Sequence, residues 1–141
     1  MKRVLTVCIS IILLCGLTAC VSIKDDSFYN IQSVFDEFTN IYNITVINGT
    51  TGDKIEITDE AKVKEIFDAF SQLSIKDTEQ PKEDWGGYGY NISFYNGKDK
   101  VLGVVYGGRD KLFINGHLYI VEDMSVIQSS IDYFDEYIDK A

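Results

Sequence analysis

Residues 88–121 decide the fold, and they read YGYNISFYNGKDKVLGVVYGGRDKLFINGHLYIV. Apolar and polar residues alternate along this stretch, and short runs rich in Gly, Asn and Asp interrupt the alternation. A period of two is typical of half-buried β-strands, and such turn residues join neighbouring strands. The pair Asn115-Gly116 favours a type I′ turn, which closes a tight hairpin. The stretch therefore predicts an antiparallel meander with strands at 88–95, 101–106, 111–114 and 117–121.

A second pair of strands is predicted before the meander. Residues 44–47 and 54–57 alternate and are rich in β-branched side chains, and turn residues fill positions 48–53 between them. This arrangement predicts a β-hairpin. Residues 74–84 are polar and contain Pro81, the only proline of the chain. We expect an edge strand there, followed by a loop.

Two helices are predicted around these strands, because apolar positions recur at steps of three and four residues. The first begins at Thr58 or Asp59 as its N-cap. Its apolar positions are Val63, Ile66, Phe67, Phe70 and Leu73. The second closes the chain and begins at Asp123 as its cap. Its apolar positions are Met124, Ile127, Ile131, Phe134 and Ile138. Each helix should bury one stripe against the sheet.

A third helix is predicted near the start of the domain, at residues 28–42, with Asp26 or Ser27 as its N-cap. The alternative is an extended lead-in strand, because residues 41–44 are already strand-like. Together the elements predict an α+β domain at residues 28–141. We expect an antiparallel sheet of about six or seven strands, with two or three amphipathic helices packed mainly on one face.

The N-terminus has a different pattern. Lys2 and Arg3 precede an apolar run at residues 4–14, and Leu17-Thr18-Ala19-Cys20 closes the segment. That run is too short to cross a bilayer, which takes about 20 apolar residues. The pattern resembles the lipobox of bacterial lipoprotein signal peptides. The resemblance implies a signal peptide at residues 1–19, cleavage before Cys20, and a diacylglyceryl group on the Cys20 thiol.

Residues 20–27 would then be the lipidated cysteine and its tether, and the protein would work at the extracytoplasmic face of the cell membrane. Two acyl chains give a stable anchor where one is marginal. The alternatives are an uncleaved N-terminal helix or ordinary secretory processing, although no Ala-x-Ala site is present.

Charge and cysteine content exclude several classes of function. The chain has 13 basic and 22 acidic residues. Loss of Lys2 and Arg3 with the signal peptide would leave 11 basic residues, hence a net charge of −11. Such a surface repels nucleic acid and suits cationic partners or none. Cys8 and Cys15 also precede Cys20, so no thiol remains for a disulfide, a nucleophile or a metal site. No cofactor is expected.

The conventional catalytic motifs are not found. His117 is the single histidine, no Gly-x-Ser-x-Gly elbow is present, and His117 is predicted to be the ordinary cross-strand neighbour of Ile114. Residues 107–110, Gly-Gly-Arg-Asp, join two predicted strands and open no helix, so we interpret them as a turn and not a phosphate cradle. One histidine and no free cysteine give poor ligand sets for zinc or copper.

The many acidic residues lack the spacing of a calcium loop. The last helix carries a set that we interpret as a solvated face: Asp132, Asp135, Glu136 and Asp139. A glycosidase needs two carboxylates about 5–9 Å apart across a cleft, and short hairpins offer little room for one.

The candidate binding segment is residues 85–90, which read Trp-Gly-Gly-Tyr-Gly-Tyr. Trp and Tyr are enriched in binding hot spots, and the glycines would leave their rings uncovered. Trp85, with Tyr88 at its boundary, is therefore the candidate ligand-binding site. The competing interpretation is that the glycines permit a bulge or close strand packing while the rings enter the core.

The whole layout resembles small lipoproteins of Gram-positive bacteria that carry an α+β domain. We expect a non-catalytic module, anchored to the membrane, that binds a protein or a cell-wall ligand. One alternative is an immunity or inhibitor lipoprotein directed against a toxin or hydrolase. A second is a small enzyme that acts on wall or peptide substrates through carboxylates.

Overall fold

The computed structural model describes residues 27–38, 40–78, 89–138 and 140. Within these residues, eight strands form one antiparallel sheet. The strands are β1 (Tyr29–Asn30), β2 (Asn43–Asn48), β3 (Lys54–Ile57), β4 (Ser74–Asp77), β5 (Tyr90–Asn96), β6 (Asp99–Tyr106), β7 (Lys111–Ile114) and β8 (His117–Val121). Their order across the sheet is β1-β4-β8-β7-β6-β5-β2-β3. The predicted α+β class is confirmed, with one or two strands more than expected.

Three α-helices accompany the described strands. They are α1 (Gln32–Phe35), α2 (Glu60–Ser71) and α3 (Gln128–Ile138), and a short 3-10 helix at Met124–Ile127 leads into the last of them. Both predicted caps are present. Asp59 accepts a hydrogen bond from the Lys62 amide at 2.8 Å, and Asp123 accepts one from the Ser125 amide at 2.9 Å. Each carboxylate satisfies a backbone N–H that the first helical turn leaves without a partner.

The meander of β5 to β8 is confirmed in the predicted order. Both residues of the turn between β7 and β8 have positive φ, 48° at Asn115 and 85° at Gly116, as a type I′ turn requires. The predicted hairpin is also present, with Val46 of β2 opposite Ile55 of β3.

One face of the sheet carries the core. Alternate strand residues such as Val46, Ile92 and Val104 lie side by side in the register, and each is fully buried. The helices α2 and α3 add their buried stripes to the same cluster. They contribute Val63, Ile66, Phe70, Ile131, Phe134 and Ile138. The helices therefore pack on this face, which we call the helix-bearing face.

The predicted helix at residues 28–42 is wrong in most of its length. Tyr29 and Asn30 form a strand that pairs with β4, and only the single turn of α1 follows. The Ile31 amide donates to the Leu73 carbonyl at 3.0 Å, so the backbone of this segment bonds outside itself. Ile31 and Phe35 are still buried. The apolar spacing is compatible with a helix, but the backbone of Tyr29 and Asn30 pairs with the sheet, and the N–H and C=O groups that do so are not available for helical hydrogen bonds.

The predicted strand at the start of residues 74–84 exists as β4, yet it is not at the edge, since it lies between β1 and β8. The remainder of that prediction, from Glu79, lies outside the described residues. No helix within the described ranges has the length and apolar character needed to cross a membrane.

Candidate functional site

Four side chains meet at one corner of the helix-bearing face, where β1, β4 and β8 lie side by side. We call the group the Asp77 cluster, and its members are Tyr29, Asp77, His117 and Tyr119. Asp77 is the last residue of β4 and lies opposite Tyr119 in the β4–β8 register. Tyr29 of β1 lies opposite Ile75, two residues before Asp77. Strand alternation therefore places all four side chains on one face of the sheet.

The Asp77 carboxylate is the centre of the cluster. Its Oδ1 lies 2.7 Å from His117 Nε2, and its Oδ2 accepts a hydrogen bond from the Tyr29 hydroxyl at 3.3 Å. The rings of His117 and Tyr119 are tilted against each other, with centroids 4.7 Å apart. One carboxylate therefore orients an imidazole and a phenol from two different strands.

Burial and charge change the acidity of the tyrosines. Partial burial, followed by the negative charge of Asp77, raises the pKa of Tyr29 to about 12. The same two causes, in the same order, raise the pKa of Tyr119. Both phenols therefore stay protonated to a higher pH than an ordinary tyrosine, and both rings border a carboxylate.

The cluster is open to solvent. The side chain of Asp77 is 57% exposed and that of His117 is 54% exposed, while Tyr29 is 41% exposed. Among the described residues, His117 is the only basic side chain that the structure pairs with Asp77. An exposed carboxylate bordered by aromatic rings is suited to a ligand that carries a positive charge.

A His–Asp pair also orients the general base of many hydrolases. In the part of the chain that the structure describes, the only hydrogen bond of the His117 ring is the one to Asp77. The described contacts of His117 are thus a His–Asp pair and not a triad with a hydroxyl nucleophile.

A second exposed aromatic surface lies between α2 and α3. The rings of Tyr133 and Tyr137 stack at 4.3 Å, Lys62 lies 4.9 Å from the centre of Tyr133, and Lys140 lies 5.5 Å from that of Tyr137. Each lysine also forms an ion pair, Lys62 with Glu65 and Lys140 with Glu136. The Lys62–Tyr133 contact therefore joins α2 to α3, whereas the other two ring contacts lie within α3 and its C-terminal end.

The sequence-predicted sites have different outcomes. Cys20, Trp85 and Tyr88 lie outside the described residues, so their roles stay predictions. Tyr90, at the end of the same aromatic segment, is described and is 5% exposed, in the core. His117 does lie opposite Ile114, as predicted. The hydrogen bond between His117 and Asp77 was not predicted from the sequence.

The remaining motifs follow the sequence interpretation in part. Residues 107–110 join two strands, with φ of 77° at Gly108, as expected of a turn. On α3, Asp132 accepts a hydrogen bond from Gln128 and Asp135 accepts one from Tyr90. These carboxylates are exposed, as predicted, but two of them also accept hydrogen bonds from other side chains. Asp139 lies outside the described side chains. Within the described ranges, no three His, Cys, Asp or Glu side chains form a group suited to a metal.

No known protein family matches the chain, and comparisons with curated proteins and with solved structures found no significant similarity.

Proposed function

We propose that this protein is a lipid-anchored, non-catalytic binding module at the extracytoplasmic face of the membrane, and that it captures a basic protein through the Asp77 cluster. We choose a basic ligand because the Asp77 carboxylate is exposed and is bordered by two tyrosine rings and an imidazole. The lipobox-like segment ending at Cys20 supports the anchored location.

The chemistry of the cluster fits a lysine or arginine side chain. The cation would approach the Asp77 carboxylate and form a charge-assisted hydrogen bond, which is about twice as strong as a neutral one. Tyr29 and Tyr119 would contact its methylene groups or its charge through their ring faces, and such contacts contribute about 0.5–2 kcal/mol. Tyr29 and His117 hold the carboxylate in place, so little ordering is needed on binding.

The overall charge supports the same ligand class. After cleavage before Cys20, 11 basic and 22 acidic residues give a net charge of −11, which attracts basic proteins over distances up to the Debye length, about 8 Å at physiological salt. This attraction increases the association rate and depends on salt, whereas the cluster supplies the specific contact. Immunity against an incoming basic toxin or hydrolase is one biological form of such capture.

The test measures the affinity of residues 21–141 for a lysine-rich peptide by fluorescence anisotropy. Every member of the described core lies between Ile31 and Ile138, so this fragment keeps the whole core. Asp77→Asn keeps the shape of the side chain and removes its charge, and it should weaken binding about tenfold, which corresponds to about 1.4 kcal/mol.

The matched control is Asp53→Asn, which changes the net charge equally at an exposed position before β3, at the other edge of the sheet. The control should bind almost as tightly as the natural sequence. Equal losses in the two variants would mean that only overall charge attracts the peptide, and the Asp77 cluster would then not be the site.

A further inference from the structure

The strand β3 forms one edge of the sheet. Within the described part of the chain, β3 pairs with β2 on one side and ends the strand order. Lys54 and Glu56 are exposed, Ile55 is half-buried, and Ile57 is buried. An edge strand presents backbone donors and acceptors that can pair with another strand.

The hydrogen-bond pattern shows which backbone groups point away from the sheet. The Asn48 amide donates to the Asp53 carbonyl at 2.8 Å, so these two residues lie opposite each other at a hydrogen-bonding position of the β2–β3 ladder. Such pairs alternate along an antiparallel ladder, which makes Val46 and Ile55 the next one. The N–H and C=O groups of Ile55 therefore face β2, whereas those of Lys54 and Glu56 face outward.

The bonds of β2 to its other neighbour agree with this assignment. The Gly49 amide donates to the Gly89 carbonyl at 3.0 Å on the β5 side. Odd-numbered residues of β2 therefore bond toward β5, and even-numbered residues such as Val46 bond toward β3. Two independent hydrogen bonds thus give the same orientation for the β3 edge.

A second copy of the chain fits this edge in one register. If a two-fold axis passes through Ile55, Lys54 of each copy lies opposite Glu56 of the other. Both residues have outward-facing backbone groups, so each pair exchanges two hydrogen bonds. Their side chains carry opposite charges, and opposite-charge pairs stabilise neighbouring strands. The two copies of Ile55 then form the closer, non-hydrogen-bonded pair.

The other antiparallel registers of β3 with itself are less favourable. Centring the axis on Lys54 or on Glu56 places like charges opposite each other, which destabilises the pair. A shift by one residue brings inward-facing backbone groups against outward-facing ones, and the hydrogen bonds are lost. The Asn43 side chain donates to the Glu56 carboxylate at 3.2 Å and so helps to hold that charge along the edge.

We propose that two copies of this protein associate through β3, about a two-fold axis at Ile55, into one sheet that continues across both copies. The contact is isologous, because the same four-residue edge serves both partners. Because this edge is only four residues long, the association is weak in solution and depends on protein concentration. This proposal is independent of the ligand of the Asp77 cluster, which lies at the other edge of the sheet.

Disulfide crosslinking of residues 21–141 tests the register, because this fragment has no cysteine of its own. The two Ile55 Cα atoms would lie about 4.5 Å apart, within the range of a disulfide. Ile55→Cys should form a covalent dimer under mild oxidation. Lys54→Cys and Glu56→Cys are the matched controls, since each would lie about two residues, or roughly 7 Å along the strand, from its counterpart. Equal crosslinking at all three positions would overturn the proposed register.

Reversing the charges at Lys54 and Glu56 tests the same contact without a covalent bond. Sedimentation equilibrium should show a reversible dimer of the natural sequence as the protein concentration is raised to roughly millimolar. That concentration matches the one that two modules experience when a short flexible linker joins them. Lys54→Glu should weaken the dimer about tenfold, because it creates two like-charge pairs. The double variant Lys54→Glu with Glu56→Lys should restore it. A natural sequence that stays monomeric at that concentration, or a double variant that fails to recover while its melting temperature is unchanged, would overturn the proposal.

Discussion

The hydroxyl of Tyr90, in β5, donates a hydrogen bond to the carboxylate of Asp135, in α3. The Tyr90 ring is buried and packs edge-on against Phe134, with centroids 5.5 Å apart. This contact joins the middle of the sheet to the last helix, across 45 residues of sequence.

Tyr90→Phe removes the hydroxyl and keeps the ring. We expect the free energy of unfolding to fall by about 1 kcal/mol, the typical net contribution of a hydrogen bond. Urea denaturation monitored by circular dichroism would measure the loss. Tyr95→Phe is the control, because it removes a hydroxyl from the same strand without breaking this bond. Equal stability of the two variants would contradict a stabilising role for the Tyr90–Asp135 contact.

The raised pKa of Tyr29 makes stability depend on alkaline pH. The pKa is about 12 in the folded protein and about 10 in an unfolded chain, so the folded state holds the proton more tightly. The contribution to stability is complete below about pH 10 and is lost as the pH rises through about 12. Melting temperatures across this range should fall less steeply for Tyr29→Phe. Parallel curves for the variant and the natural sequence would show that Tyr29 titrates alike in both states.

The Asp59 cap should contribute measurably to the stability of α2. Asp59→Ala removes the acceptor for the Lys62 amide, and we expect a loss of about 1 kcal/mol. Asp59→Asn keeps an oxygen acceptor and should lose much less, which separates capping from charge. Thermal and urea unfolding measure both variants. A larger loss for the Asn variant than for the Ala variant would exclude capping as the cause.

Trp85 is predicted to contact a ligand, although it lies outside the described residues. Truncating a hot-spot aromatic residue costs about 2 kcal/mol or more of binding, roughly thirtyfold in affinity. Truncating a core aromatic residue costs about 3–5 kcal/mol of folding stability instead. Trp85→Ala should therefore keep the melting temperature and reduce the yield of a bound partner in a pull-down with residues 21–141. A large drop in melting temperature would assign Trp85 to the core.

Membrane anchoring is predicted to depend on Cys20. In the full-length chain, Cys20→Ala should abolish incorporation of labelled fatty acid and alter processing of the precursor. Cys15→Ala is the control, because Cys15 lies within the segment that cleavage would remove. Labelling that persists in the Cys20 variant would refute the lipobox interpretation.

Local sequence patterns predicted most of the secondary structure. Alternation from Tyr90 to Val121, with Asn115-Gly116 at a turn, was sufficient for the meander, because strand period and turn geometry are properties of adjacent residues. The carboxylates of Asp59 and Asp123 likewise marked where two helical segments begin, since a cap bonds within its own first turn. The interpretation failed at residues 28–42, where the apolar spacing was compatible with a helix and pairing with β4 prevailed.

The amino-acid sequence alone predicts strands β2 to β8, the starts of two helical segments and the acidic charge, because each depends on residues close together in the chain or on composition. Tertiary contacts set the strand order, which brings the Asp77 cluster together and, within the described residues, leaves β3 at the opposite edge of the sheet. His117 and Asp77 are 40 residues apart, and Tyr29 and Asp77 are 48 apart. No periodic pattern links such positions, because their contact depends on which strands become neighbours when the whole sheet forms.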